Sequence, residues 1–210
     1  LKQSSTIICI CGPSGAGKSS LMERTTELLE DSVSFYFDAC TSTLVSPDPA
    51  DVYQRLIDGI VTDPLDIVRN EIKNDQFIED LQALYEGNEI VDPWNRRLKP
   101  AKYIILKEPF GRLREGMDAL IHTVICIDIP LEIALCRRLI RNLTYDYVND
   151  PVDARLDQIL SYIKGYHDGE GRAIRLLHEK LKETSDLRYD GLKPKDELVN
   201  NLLAYIEGIA

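Results

Sequence analysis

Eight residues near the start of the chain, Gly12-Pro13-Ser14-Gly15-Ala16-Gly17-Lys18-Ser19, place glycines, an amine and a hydroxyl at the spacing G-x-x-x-x-G-K-[ST]. Each residue type there suits a phosphate. Glycines let the backbone turn tightly with its N–H groups facing inward, which makes a nest for anionic oxygens. A helix starting behind the loop adds partial positive charge. Lys18 can reach β- and γ-phosphates, the Ser19 hydroxyl can ligate Mg²⁺, and Ser20 follows at the head of the helix. A plain glycine-rich turn would need neither Lys18 nor Ser19.

Two acidic residues stand where further chemistry could occur. Val33-Ser34-Phe35-Tyr36-Phe37 alternates like a strand and ends at Asp38. Tyr103-Ile104-Ile105-Leu106 reads as a buried strand that runs through Lys107 into Glu108. Ligands of open parallel sheets sit beyond the carboxyl ends of the strands, so Asp38 is expected at the mouth of the site, although a turn or cap residue would look the same. Glu108 stands where phosphate-loop proteins keep a carboxylate that organises Mg²⁺. A helix expected over Leu131 to Leu143 carries Arg137, Arg138 and Arg141. Arg138 and Arg141 are i, i+3 and share a face, which is either a solvated surface or one that meets an anion.

These groups need a scaffold to position them. Thr6-Ile7-Ile8-Cys9-Ile10-Cys11 is apolar and β-branched, a buried strand; Leu21, Met22, Leu28 and Leu29 stripe the helix after the loop. Thr123 to Ile127 is a fourth strand, ending at Asp128, and Pro130 opens the arginine-bearing helix. Asp150-Pro151 begins a long helical region to about Glu183, breaking at Gly165 or at Gly169 to Gly171, with an apolar stripe of Val152, Leu156, Ile159, Leu160 and Ile163. Leu187 to Tyr189 is a short last strand and Lys193 to Ile206 a closing amphipathic helix. Strands alternating with helices predict an α/β fold with a parallel sheet and right-handed crossovers. The chain is expected to form one domain over 1–210, with 40–100 as a substrate-facing insertion and 131–150 as a lid region. In the insertion, Ala50 to Ile60, Leu65 to Ile72 and Gln76 to Tyr85 read as helices and Glu89-Ile90-Val91 as a short extended piece. Its ionic residues are mostly acidic until Arg96, Arg97 and Lys99, beside Trp94.

Composition narrows the partners. The 210 residues carry 25 basic and 35 acidic side chains, a net charge of −10, which argues against nucleic acid and anionic membranes. No apolar run is long enough to span a bilayer and no signal-peptide pattern appears, with any segment before Leu1 left open. The five cysteines show no C-x-x-C or zinc spacing, and three fall in expected strands, so a reducing, cytoplasmic setting is anticipated. His122, His167 and His178 are scattered without metal or triad spacing.

Taken together, these residues resemble the uridine kinase-like family of P-loop kinases, which includes phosphoribulokinase and pantothenate kinase. Besides the loop and Asp38, the resemblance rests on Phe77 to Asp92 (FIEDLQALYEGNEIVD), Ile105 to Phe110, Ile127 to Leu131, Cys136 to Asn142, and Asp186 to Gly191 with Asp196-Glu197-Leu198, and so spans most of the chain. It implies a P-loop NTPase-type three-layer sandwich and an ATP-dependent phosphotransferase acting on an alcohol group of a small metabolite, with Mg²⁺. It also implies roles. Gly12, Pro13, Ser14, Gly15, Ala16, Gly17, Lys18, Ser19, Ser20 and Arg137 would hold ATP. Asp38 would take the acceptor's proton, with Lys18, Arg138 and Arg141 at the transferring group. Ser19 and Glu108 would serve Mg²⁺. Three segments depart from the family: Asp38-Ala39-Cys40-Thr41, Val91-Asp92-Pro93-Trp94-Asn95-Arg96-Arg97, and Asn142 with Tyr145-Asp146-Tyr147. A pyrimidine nucleoside is therefore not implied. Trp94, Arg96 and Arg97 beside Asp38 suit an anionic acceptor, or form a solvent-exposed basic hairpin. The expected partner is a small-molecule phosphoacceptor, with homo-oligomerisation open. An ATP-binding regulator without kinase activity is the other reading. A GTPase is disfavoured, since no N-K-x-D occurs and Asp168 to Gly171, the one D-x-x-G, falls in a helical region.

Overall fold

The computed structural model describes residues 5–47, 51, 52, 54, 55, 58, 60 and 63–209. The helix expected over Ala50 to Ile60 therefore lies largely outside the described residues.

Strand β1 (Thr6–Cys11) is the spine of the molecule. Ile7 through Cys11 are fully buried, as a strand covered on both faces must be, which is why the segment reads as unbroken apolar sequence. A five-stranded sheet is built around it from β2 (Ser32–Tyr36), β5 (Tyr103–Lys107), β6 (Thr123–Asp128) and β7 (Leu187–Asp190), in the order β2-β5-β1-β6-β7. Every pairing is parallel, with Ile8 opposite Ile105 on one side and Thr123 on the other. Helices flank the sheet, and the whole is an α/β fold of the P-loop NTPase type.

Helix α1 (Lys18–Leu28) follows the glycine loop directly. Its buried Leu21 and Met22 and the buried Leu198, Val199, Leu202 and Ile206 of α7 (Lys195–Ile209) belong to one hydrophobic core, and the two helices pack together. In the insertion, a 3₁₀ segment (Phe37–Thr43) leads to α2 (Pro64–Asn70) and α3 (Asp75–Tyr85). Asp63 and Asn74 cap these two helices through Leu65 N–H and Phe77 N–H. The extended piece anticipated at Glu89 to Val91 is one arm of a hairpin, β3 (Ile90–Val91) against β4 (Arg97–Leu98).

Beyond β6 the chain is largely helical, and the stretch expected as a lid, 131–150, is the first part of this run. Helix α4 (Leu131–Arg141) continues into a π-helical turn (Asn142–Asp146), α5 (Val152–Gly165) into a second π-turn (Tyr166–Glu170), and α6 (Gly171–Thr184) completes it. The expected break thus spans residues 166–170. No residue of α5 is buried, and Val152, Leu156, Leu160 and Ile163 of its apolar stripe are exposed. The periodicity correctly marked a helix; it did not reveal that the helix stands out from the core. All five cysteines are free, with only Cys136 exposed. No described helix is long and apolar enough to cross a membrane.

Candidate functional site

The glycine loop needs its glycines for conformation and for space. Gly12, Gly15 and Gly17 have φ of 133°, 88° and 96°, the left-handed region where a side chain is strained. A Cβ on Gly15 would lie 2.1 Å from the Ala134 carbonyl oxygen, so the loop and helix α4 touch backbone to backbone there. Ala16 N–H donates to the Pro13 carbonyl at 3.1 Å, and α1 opens at Lys18, immediately after left-handed Gly17. A helix N-terminus stands behind the loop as the sequence required.

Lys18 is folded back on this loop. Its Nζ donates to the Gly12 and Pro13 carbonyls at 2.7 and 2.9 Å, and it is buried. Burial first, then the nearby charge of Lys107, pushes its amine down to about 8.

A cavity of about 390 Å³ opens over the loop. Gly12, Ser14, Gly15, Gly17, Lys18, Ser19 and Ser20 form its floor; Asp38, Lys107 and Pro109 form one wall, and Arg137, Arg138 and Arg141 the other. Pro13 and Ala16 belong to the loop but are buried behind that floor. The described lining carries five cationic side chains and one carboxylate, Asp38. In a chain of net charge −10 this is a strong local inversion, and it makes the cavity an anion site.

The arginine wall comes from the turn periodicity of α4. Arg137 Nη1 donates to the Gly191 carbonyl at 3.0 Å, tying the helix to the loop after β7. Arg138 lies over the Tyr162 ring at 6.0 Å, and its Nε is buried with no partner among the described residues. Arg141 Nε is 3.4 Å from Asp146 Oδ2. The opposite wall is made by strand ends: Asp38 follows β2 and Lys107 closes β5, and the two side chains form an ion pair.

The other expected site residues lie apart from this cavity. The Glu108 carboxylate is fully buried and gripped by Arg114, Nη2 to Oε2 at 2.6 Å and Nε to Oε1 at 3.3 Å, and accepts the Phe110 N–H at 3.1 Å. Burial pushes its carboxyl up, against the opposing pull of Arg114. The side chain anticipated at the metal thus faces inward, to a buried arginine stacked on Phe37 and Phe77. Trp94, Arg96 and Arg97 also fall outside the cavity's described lining. Arg96 packs against the Tyr36 and Trp94 rings, at 5.0 and 4.8 Å, and is fixed by buried Asp92, Nε to Oδ2 at 2.7 Å. Arg97 pairs with Glu89 across the hairpin at 2.7 Å. Both arginines read as free cations in sequence; in the fold each has an acid of its own.

Sequence reasoning missed two functional-looking side chains. Lys107 reads as the polar end of a buried strand, and only the sheet order sets it beside Asp38. Arg114 sits in a loop where nothing local marks burial; the available signal was that a buried Glu108 needs a cation.

The residues present fit a magnesium–nucleotide complex. The cavity lies over a loop whose Gly12, Gly15 and Gly17 take left-handed φ, Lys18 holds an amine against carbonyls it can leave, and Arg138 offers a buried donor with no partner among the described residues. Among the described residues no three His, Cys, Asp or Glu side chains converge as a metal cage. Mg²⁺ keeps several waters and is bound largely through substrate phosphates, and Ser19, which lines the cavity, is the hydroxyl that would ligate it.

No family model matches the chain, and no curated protein sequence matches it. Solved structures do. A protein from Silicibacter sp. TM1040, provisionally described as a fructose transport system kinase, is 12% identical with a TM-score of 0.54, over 90% of this chain and 91% of its own. One from Bacillus stearothermophilus, provisionally described as a uridine kinase, is 11% identical with a TM-score of 0.49, over 90% and 91%. At such identity the first is a likeness of fold alone, that of the α/β P-loop architecture.

Proposed function

We propose that the protein is an ATP-dependent kinase that transfers the γ-phosphoryl group of Mg-ATP to a hydroxyl of a small metabolite, nearest in sequence character to the uridine kinase-like group. The observation that carries this reading is the cavity over the phosphate loop, where one carboxylate, Asp38, faces five cations. A site that only holds nucleotide has no need of a basic group opposite the phosphates; a site that moves a phosphoryl group to an alcohol does.

The roles follow from position. Loop N–H groups and Lys18, released from the Gly12 and Pro13 carbonyls, hold the β- and γ-phosphates, with Arg137 alongside. Ser19 is the side chain that would hold Mg²⁺, whose bound chemistry is to neutralise charge on the phosphate oxygens. Asp38 orients the acceptor hydroxyl and takes its proton as the new O–P bond forms and the β–γ bridge breaks. Arg138 and Arg141 meet the charge that develops on the transferring group. Glu108 is better assigned to its buried pair with Arg114 than to the metal directly. The acceptor meets Asp38 at the mouth of the cavity, while Trp94, in the neighbouring hairpin, packs on buried Tyr36, centroids 5.6 Å apart.

The test is ADP release from Mg-ATP against a panel of hydroxyl compounds including uridine, cytidine, pantothenate and several sugar phosphates. Acceptor-dependent release that is lost in Asp38→Asn supports the reading. Tight ATP binding with no acceptor-dependent release across the panel would move it to a regulatory nucleotide binder.

A further inference from the structure

Lys107 occupies a crossing point. Strand β5 lies between β2 and β1, and in register Lys107 is the partner of Tyr36 on one side and Ile10 on the other. β2 leads within two residues to Asp38, and β1 leads within two residues to Gly12. The Lys107 amine therefore stands between the proton acceptor and the phosphate loop. Its side chain is only 12% exposed, it is ion-paired with Asp38, and it lines the same cavity as Lys18. It is also the charge that weighs most on the Lys18 amine.

We propose that Lys107 is a positioning residue that changes partner with nucleotide state. Without a triphosphate it holds Asp38; the γ-phosphate displaces that carboxylate, and Asp38 is freed for the acceptor. This rests on the kinase reading above. The electrostatics favour the exchange in that order. Lys18 and Lys107 face one cavity, and Asp38, the carboxylate of its described lining, is paired with Lys107, while Lys18 is held by the Gly12 and Pro13 carbonyls. A γ-phosphate carries more charge and more acceptor oxygens than a carboxylate, so it is the stronger partner for a largely covered ammonium. The base is then occupied until the phosphoryl donor is in place, which limits activation of water at an unfilled site.

The exchange predicts a competition that binding alone can read. Asp38 opposes the γ-phosphate but not ADP, which lacks one. Calorimetric titrations with Mg-ADP and with the magnesium complex of the non-hydrolysable β,γ-imido analogue of ATP separate the two. Lys107→Met is expected to weaken the triphosphate analogue by about tenfold, the loss of one charged hydrogen bond, with ADP changed by less than about twofold. Asp38→Asn is expected to tighten the analogue several-fold and leave ADP unchanged. The double variant is expected to match Lys107→Met, because the competitor matters only through Lys107. Equal effects on the two nucleotides, or an unchanged analogue-to-ADP ratio in Asp38→Asn, overturns the proposal; the Asp38 arm decides even if Lys107→Met fails to fold. Wild-type protein that binds neither nucleotide would instead remove the kinase reading and this inference with it.

Discussion

Lys18 sets the pH range over which the site can take an anion. Its amine lies near 8 in the free protein because burial and Lys107 disfavour the charged form. Phosphate oxygens favour that charged form, so nucleotide raises the value and binding takes up a proton. Affinity should be nearly flat below pH 8 and fall above it, by at most about tenfold per pH unit. Calorimetry at pH 9 in two buffers of different ionisation enthalpy should report uptake close to one proton, and at pH 7 close to none. Zero uptake at pH 9 would mean that the amine is already charged in the free protein. Asp38→Asn should retain nucleotide binding and lose about 10²- to 10⁴-fold in acceptor-dependent turnover, the span expected of a general base. Lys18, Ser19 and Asp38 were legible in the sequence because a motif and a strand end fix where such residues stand. Arg96 and Arg97 were misleading for the converse reason: Asp92 and Glu89, their partners, come near them only through the hairpin.

At the level of elements, the glycine loop and helix α4 are coupled through contact with no side chain between them at Gly15. Gly15→Ala places a methyl group 2.1 Å from the Ala134 carbonyl oxygen, whereas a Cβ on Gly17 meets nothing within 4 Å. Gly17→Ala should therefore cost only its left-handed backbone strain, about 1–2 kcal/mol. Gly15→Ala should lower the melting temperature further and weaken nucleotide binding as α4 is pushed off the loop. Equal thermal shifts for the two variants would show that the loop and α4 yield to each other freely. Arg138→Ala and Arg141→Ala, on the same helix, should lower kcat much more than they weaken ATP, since their charge meets developing charge. Rates with an identified acceptor, set against binding constants, decide this. β1, β5 and β6 read well from sequence because burial on both faces leaves only apolar runs, and edge strand β2 reads from its alternation. β4 did not, since a two-residue arm such as Arg97-Leu98 carries no period, and the α5 stripe gave the helix without saying which surface covers it.

For the whole molecule, alternation of strands and helices was enough to give the parallel sheet, but not the order of its strands, because no local pattern encodes which strand a given one will meet. That order has a consequence for how the protein is made. β1 is synthesised first and sits in the middle, and its neighbours, β5 and β6, follow roughly a hundred residues later. The phosphate loop and its helix are translated before the strands that flank β1, and among the described residues β2 is bonded in the finished sheet only to late-arriving β5. Nucleation must wait for these distant pairings, the kind that folds slowly and leaves apolar edges exposed meanwhile. A fragment ending at residue 100 should be open to protease and should not bind ATP, although it holds the entire glycine motif; nascent chains stalled past β6 should be the first to gain protection. An early-emerging β1 of six residues, five of them fully buried in the end, is the segment most exposed to wrong partners in that interval. The six residues of β1 thus have to stay soluble until β5 and β6, their final partners, are available.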